Sequence, residues 1–333
     1  MLLFITLLIS MLVGCGQPKP ELLNGATMGT TYSIKLYNVP SDMDAEQLHQ
    51  EVDDLLENIN GSMSTYLSES ELSRFNRSPL NEWQVISAGL FNVLRFGQDL
   101  CLLTDGAFDV TVGQLVNQWG FGPEDRAGIP GDKSLTVMKQ NMGCDAFALD
   151  DKDSHAKRLK PAVIDLSAIA KGYAVDIISN YLVLSGVDDY MIEIGGEVKT
   201  SGRKVDGSDW RIAIEAPDIL ERKVFAVVNA NDIGMATSGD YRNFFEEEGQ
   251  RYSHTIDPRT GVPVNHTLGS VTVLHPSVMQ ADGFATAINV MGPEQGYEFA
   301  LQYDIAAYLI HYADNELIAQ YTPLFTPYLA KAP

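Results

Sequence analysis

The chain is poor in cysteine, in basic residues and in long apolar runs, and each shortage narrows what it can be. Only 3 cysteines occur among 333 residues, and none stands in the Cys/His spacing of a zinc site. Lys and Arg number 23 against 44 Asp and Glu, a formal charge of −21. That balance argues against nucleic acid or anionic membrane surfaces as general partners. Any phosphate the protein handles then needs local help, from a cation or from backbone amides. Neither a Walker sequence nor a G-x-G-x-x-G fingerprint is there to supply it. Internal repeats and low-complexity tracts are absent too. The 45% apolar content argues against disorder and suffices for a sizeable core in one large or two interlocked domains.

The N-terminal apolar run, residues 1–13, is too short to span a bilayer as a mature helix. It reads as a signal peptide, although its n-region lacks Lys and Arg. Gly14 leads into Cys15 and then into the polar, proline-containing 16–20 (GQPKP), a pattern resembling a bacterial lipobox. The expected organisation is a signal peptide over residues 1–14, a lipidated Cys15 and tether over 15–24, and a folded domain over 25–333. Acyl chains would hold the protein to a membrane while its body stays in water. Cys101 and Cys144 would then face an oxidising compartment, where a disulfide is possible. The apolar helical pattern around Cys101 favours a buried thiol instead.

Residues 31–37 alternate as a half-buried strand does. Leu48, Val52, Leu55, Leu56 and Ile59 mark a helix face, with Ser41 and Asp44 as start signals. A second helix is expected from Ser87 through Leu90, Leu94 and Cys101 to near Gly106. Residues 163–166 read as a short buried strand, and 167–184 as a helix ended by Gly186. Strands are expected at 191–194, 210–214, 224–228, 271–274 and 306–310. One helix is expected over 281–290 and another after Pro293. The stretch from Gly122 to Gly143 reads as a surface excursion. The sum is a mixed α+β chain.

Several short segments carry chemistry. Asp282 and Thr286 lie four apart, so on a helix their oxygens share a side and suit a hard cation such as Mg²⁺, with the Ala285 carbonyl beside them. The same spacing is met by Asp282 capping a helix and Thr286 bonding back to a carbonyl, and spacing alone leaves both open. His254 follows a strand-like 250–253 and precedes a turn with two prolines, a fixed placement that suits a general base and equally a structural histidine. Residues 165–172 (DLSAIAKG) pass from strand to helix, where free amides favour anions and Lys171 adds charge; Asp165 or Ser167 as a plain cap is the alternative. Tyr66 offers a ring that can stack on a planar group, and Asp109 can accept hydrogen bonds from a base or ribose. Residues 195–197 and 236–240 read as glycine-containing, close-approach turns and equally as hairpin punctuation.

Taken in order, the segments TMGT (27–30), MSTY (63–66), GAFDVTVG (106–113), DLSAIAKGYAVD (165–176), EIGGE (193–197), ATSGDYRNF (236–244), SHTIDPRTG (253–261) and ADGFATA (281–287) resemble the ApbE family of FAD:protein FMN transferases. The resemblance implies an ApbE-like fold, related to the T-fold, with two intimately joined α+β subdomains around a flavin cleft. It implies that Met28, Tyr66, Ala107, Phe108, Asp109, Asp165, Lys171 and Ile256 line the FAD site. It implies Mg²⁺ held by the carbonyls of Ala168 and Ala285 and the side chains of Asp282 and Thr286, and His254 as the base. The implied reaction moves FMN from FAD to a Thr or Ser hydroxyl of an acceptor protein and releases AMP. The implied acceptors are membrane redox subunits of sodium-pumping NADH:quinone reductase or Rnf-type complexes, reached from a lipid anchor on the periplasmic side of the inner membrane. A periplasmic FAD pyrophosphatase giving FMN and AMP, or a non-catalytic flavin-binding lipoprotein, are the alternative readings.

Overall fold

The N-terminal alternation becomes a hairpin. In the computed structural model, which describes residues 20–41, 43–124, 128–218, 223–239, 244–247, 249–314 and 316–330, β1 (Glu21–Thr27) pairs antiparallel with β2 (Thr30–Tyr37). The expected leader, Cys15 and Asp240 lie outside the described residues. Met28 and Gly29 make the turn with φ of 49° and 72°, the two-residue geometry whose twist matches the flanking strands. Tyr32, Ile34 and Leu36 all face the core from β2.

Helix α1 (Ala45–Met63) starts where the sequence signalled, with the Asp44 side chain accepting from the Glu46 N–H. It buries Leu48, Val52, Leu56, Ile59 and Met63, each contributing about 1.5–3 kcal/mol of transfer free energy before entropy is counted. The short α2 (Glu71–Arg77) and β3 (Trp83–Val85) were not expected. Helix α3 (Ala88–Leu103) is capped by Ser87, as anticipated. After α4 (Gly113–Gln118) comes α5 (Asp132–Asn141), which buries none of its residues; the surface excursion expected over 122–143 is thus partly helical, and among its described residues Pro130 and Met142 are buried. Strands β4 (Phe147–Asp150) and β5 (His155–Arg158) join β3 in the order β3-β5-β4.

The strand expected at 163–166 does not form. Only Val163 bridges, in parallel, to Val112, because the Asn76 side-chain amide takes both the N–H and the carbonyl of Ile164, at 2.8 Å each. Helix α6 (Ala170–Leu184) follows a turn and ends near Gly186, at φ 79°. The remaining elements are β6 (Asp189–Ile194), β7 (Glu197–Ser201), β8 (Arg211–Glu215), β9 (Val224–Asn229) and β10 (Gly234–Gly239). Then come β11 (Phe244–Glu247), β12 (Gln250–Ser253), β13 (Ile256–Asp257), β14 (Val262–Pro263) and β15 (Leu268–His275). Helix α7 (Val278–Gln302), β16 (Ala306–Ala313), β17 (Glu316–Tyr321) and a 3₁₀ turn (Pro323–Tyr328) complete the chain. Gly292, at φ 82°, breaks α7 just before Pro293, so the two expected helices are its two halves.

An antiparallel sheet in the order β1-β2-β6-β7-β10-β15-β16-β17 organises the molecule. Helices α1, α6 and α7 cover one face. The β8–β9 hairpin and the 3₁₀ turn cover part of the other, around Phe325, Val228 and Ile310. Strand β15 is therefore buried on both sides: Leu268 through Leu274 are all buried, Ser270 and Thr272 included, rather than alternating between core and solvent. Helices packed on an antiparallel sheet make this an α+β fold. Cys101 and Cys144 form a disulfide, which overturns the buried-thiol expectation. The partner lies 43 residues away in sequence, and only the fold brings the end of α3 to the segment after α5.

Candidate functional site

The first wall of the site is where α6 and α7 touch. Gly172 allows this contact, since a Cβ there would meet the Val278 carbonyl oxygen at 2.5 Å. Gly172 is the third residue of α6, so its N–H has no acceptor within the helix; it donates to Asp282 Oδ2 at 3.2 Å. Asp282 itself is not a cap. Ser277 caps α7, accepting from the Gln280 N–H, and Asp282 sits inside the helix, buried. Thr286, one turn on, places Oγ1 3.2 Å from Ser238 Oγ on β10. The α6–α7 junction is further fixed by Asp176, whose carboxylate accepts from Ser277 Oγ and the N–H groups of Val278 and Met279 at 2.7–3.0 Å.

Lys171 lies between two buried carboxylates, with Nζ 3.1 Å from Glu197 Oε1 and 3.8 Å from Asp282 Oδ2. Glu197 opens β7 after the Gly195–Gly196 turn, whose φ values are 61° and 105°. A Cβ on Gly195 would press Thr30 Cγ2 at 2.8 Å and the Lys171 stem at 3.2 Å, so this turn also brings the Met28 hairpin to the lysine. Burial pushes the Glu197 carboxyl up, with the Lys171 ammonium pulling the other way and holding the carboxylate form. Burial likewise raises Asp282, opposed by Lys171 and the Gly172 N–H. Burial works against charge on Lys171, but Asp282 and Glu197 more than offset it and its pKa is raised. Fully ionised, the trio carries a net −1 with both carboxylates buried and the ammonium partly exposed, and Glu197 Oε2 is buried without a hydrogen-bond partner.

These residues fit a hard cation. The donors are oxygens: the Asp282 carboxylate, the Thr286 hydroxyl and the carbonyls of Ala168 and Ala285. Among the described residues no three His, Cys, Asp or Glu side chains form a metal cage. A cation here would rest on one carboxylate, neutral oxygens and the phosphates of a bound molecule, which is how Mg²⁺ is commonly held.

The segments carrying Asp109 and Asp165 run side by side, with Asp165 N–H donating to the Val110 carbonyl at 2.8 Å and Gly113 N–H to that of Val163 at 2.9 Å. Asp109 Oδ1 accepts from the Thr111 N–H and hydroxyl at 2.8 and 2.7 Å, and burial raises its pKa. Asp165 Oδ1 accepts from the Ser167 N–H at 2.8 Å, fixing the turn before α6; neither Asp165 nor Ser167 caps that helix, whose N-cap is Ile169 without a side-chain cap bond. Ala107 and Phe108 are buried, so anything they offer a ligand comes from the backbone. Tyr66 is 68% exposed; its hydroxyl donates to the Phe121 carbonyl at 3.2 Å, and partial burial with the nearby Asp165 charge raises its pKa.

The second wall is made of loops and rings. His254 lies between β12 and β13, with Phe121 edge-on at 6.3 Å between ring centroids. Phe121 also packs on Phe245, and Phe245 stacks on Tyr252 at 5.0 Å. Thr255, the next residue, accepts from Asn289 Nδ2 at 3.3 Å. Asp282, Thr286 and Asn289 stand at i, i+4 and i+7 of α7 and so share one face; the helix carrying the oxygen donors also anchors the chain beside His254. After it, Asp257 accepts from the Arg259 N–H at 2.9 Å and pairs with its guanidinium. Trp119 Nε1 donates to the Gly261 carbonyl at 3.0 Å, and Ile256 packs with Leu115, Trp119 and Met142.

The structure thus brings Lys171, Asp282 and Thr286 together, sets Asp109 and Asp165 on adjacent segments, and joins His254 to Tyr66 through Phe121. Sequence reasoning saw Glu197 only as part of a turn, and missed Asp176, Phe121 and Asn289. Asn289 had a signal, a polar residue continuing the 282/286 stripe; Glu197 and Phe121 act across the fold and had none.

Residues 28–309 match the ApbE family. The FAD:protein FMN transferase of Vibrio cholerae is 44% identical over 323 residues, covering 96% of each chain. That of Haemophilus influenzae is 42% identical, covering 93% of this chain and 91% of its own. The solved flavin transferase ApbE from Vibrio cholerae superposes with a TM-score of 0.87 at 42% identity, over 93% of this chain and 99% of its own. The apo flavinyl transferase ApbE of Pseudomonas stutzeri gives 0.87 at 36% identity, over 96% and 99%. With a family match across most of its length and relatives this similar end to end, the chain belongs to the ApbE family.

Proposed function

We propose that the protein transfers FMN from FAD to a Ser or Thr hydroxyl of an acceptor protein and releases AMP. The observation that carries the reading is the shared face of α7: Asp282 and Thr286 beside Lys171, with Asn289 tied to the residue after His254. Asp282, Thr286 and the carbonyls of Ala168 and Ala285 would hold Mg²⁺. Once bound, the ion withdraws charge from the diphosphate and eases departure of AMP.

The chain's own residues do the rest. Lys171 offers an ammonium to a phosphate oxygen, a charge that a protein of −21 otherwise lacks locally. Met28, Tyr66, Asp109, Asp165 and Ile256, with the backbone at Ala107 and Phe108, hold and orient the dinucleotide. His254 takes the proton of the acceptor hydroxyl as its oxygen bonds to the FMN phosphorus. The bond between that phosphorus and the AMP oxygen breaks, and AMP leaves with the electron pair. Acceptors are expected among membrane redox subunits of the sodium-pumping quinone reductase and Rnf types. A lipid on Cys15 at the periplasmic face of the inner membrane would raise the effective concentration of such partners.

Incubation with FAD, Mg²⁺ and an acceptor domain tests the reading. Covalent flavin fluorescence on the acceptor in a denaturing gel is the expected result. Free FMN and AMP with an unlabelled acceptor would make the protein a pyrophosphatase, and intact FAD would make it a carrier.

A further inference from the structure

Lys171 stands closer to Glu197 than to Asp282, at 3.1 Å against 3.8 Å, and this asymmetry matters to any cation seated by Asp282. An ammonium hydrogen-bonded to a carboxylate competes directly with a metal for the same oxygen lone pairs. We propose that Glu197 is a positioning residue, resting on the metal reading above: it holds the Lys171 ammonium off Asp282 and so reserves that carboxylate for the cation.

Three features support this. Glu197 is 4% exposed, and its hydrogen bond to Lys171 is its counter-ion contact, so the pair is fixed rather than fluctuating in solvent. The Gly195–Gly196 turn closes over the lysine stem, leaving no room for a Cβ at 195 without pressing Lys171 Cδ at 3.2 Å; the stem is confined from the side that also delivers Glu197. Glu197 Oε2 is buried with no partner, so the second oxygen leaves the cluster short of positive charge. Remove Glu197, and Lys171 has one buried carboxylate left to satisfy, Asp282. The ammonium then moves the short remaining distance and occupies the oxygen the cation needs.

The test is calorimetric titration of Mg²⁺ into the FAD-loaded full chain, with FAD alone as the blank. Glu197→Ala should weaken Mg²⁺ binding about 10–100-fold, Glu197→Gln, which keeps an acceptor for the ammonium, should lose less, and Lys171→Met/Glu197→Ala should recover most of the loss because the competitor is gone. Should Glu197→Ala fail to fold by circular dichroism, the Glu197→Gln and double-variant titrations decide alone. Unchanged Mg²⁺ affinity in the Glu197 variants, or a double variant no tighter than Glu197→Ala, would overturn the positioning role and leave the metal reading intact. A wild-type chain with no Mg²⁺ binding, or an Asp282→Ala variant that binds as well as wild type, would remove the metal reading and this inference with it.

Discussion

The two walls of the site are built on opposite principles. The α6–α7 wall is made of regular elements: helix touches helix at Gly172, Asp176 ties the junction, and two buried carboxylates flank a half-buried ammonium. The His254 wall is made of short strands and loops held by ring contacts and side-chain hydrogen bonds. Charge explains the difference. An ammonium between buried carboxylates keeps its meaning only where the carboxylates are shielded from water and geometry is fixed, whereas exposed pairs such as Lys160–Asp145 contribute about 0–1 kcal/mol. A base that must meet a hydroxyl on another protein has to remain reachable, so it belongs on the open wall.

If that division holds, damage to each wall should read out differently. The largest effect is expected from His254→Ala: transfer should fall about 10²–10⁴-fold, while FAD binding, followed by flavin fluorescence, and the melting temperature stay near wild type. Wild-type transfer in that variant would remove His254 from the chemistry.

Next comes the Cys101–Cys144 link, which closes a segment with separation 43 and is worth about 4 kcal/mol in the loop-entropy view. Gly143 N–H donates to Thr111 Oγ1 at 2.9 Å, so the link also braces the Asp109 turn. Paired Ser substitutions should lower the denaturant midpoint and weaken FAD binding; an unchanged midpoint would mean the disulfide is idle.

Asp176→Ala strips the start of α7 of its acceptors and should cost about 2 kcal/mol in a urea melt. Asp176→Asn should lose less. A loss confined to activity, without any in stability, would contradict the junction role.

The smallest effect concerns His275, beside the Ser277 cap. Burial lowers its pKa below the ordinary 6.5, with Lys199 acting in the same direction and Asp176 and the Ser277 backbone opposing. Because the folded form binds the proton less readily than the unfolded chain, this contribution is present above pH 6.5 and is lost as pH falls through the depressed value. His275→Gln should flatten the melting temperature profile on that acid side, and an identical profile would exclude the residue.

What was legible in the sequence follows from range. Asp44 and Ser87 announce α1 and α3 because a cap acts within three residues, and β2 shows its alternation because one face is wet. Ile164 and Leu166 are buried without belonging to a strand, since the backbone of Ile164 is satisfied by the Asn76 amide and the Asp165 N–H by the Val110 carbonyl; buried apolar residues mimic a strand when the partner is a distant side chain. The Cys101–Cys144 disulfide could be named only as possible, and the Lys171–Glu197 pair not at all, for the same reason: each joins segments distant in sequence that only the fold brings together. The 282/286 stripe was readable as a site or as a cap, and the Ser277 cap, five residues upstream of Asp282, decides against the second.

The most direct test of the central claim is Mg²⁺-dependent flavin incorporation into an acceptor domain, compared between wild type and Asp282→Ala. Saturable, Mg²⁺-dependent labelling in the wild type, lost or shifted to at least about tenfold higher Mg²⁺ in the variant, is the predicted result. Labelling that is indifferent to Mg²⁺, or a variant whose Mg²⁺ curve overlays the wild type, would contradict it.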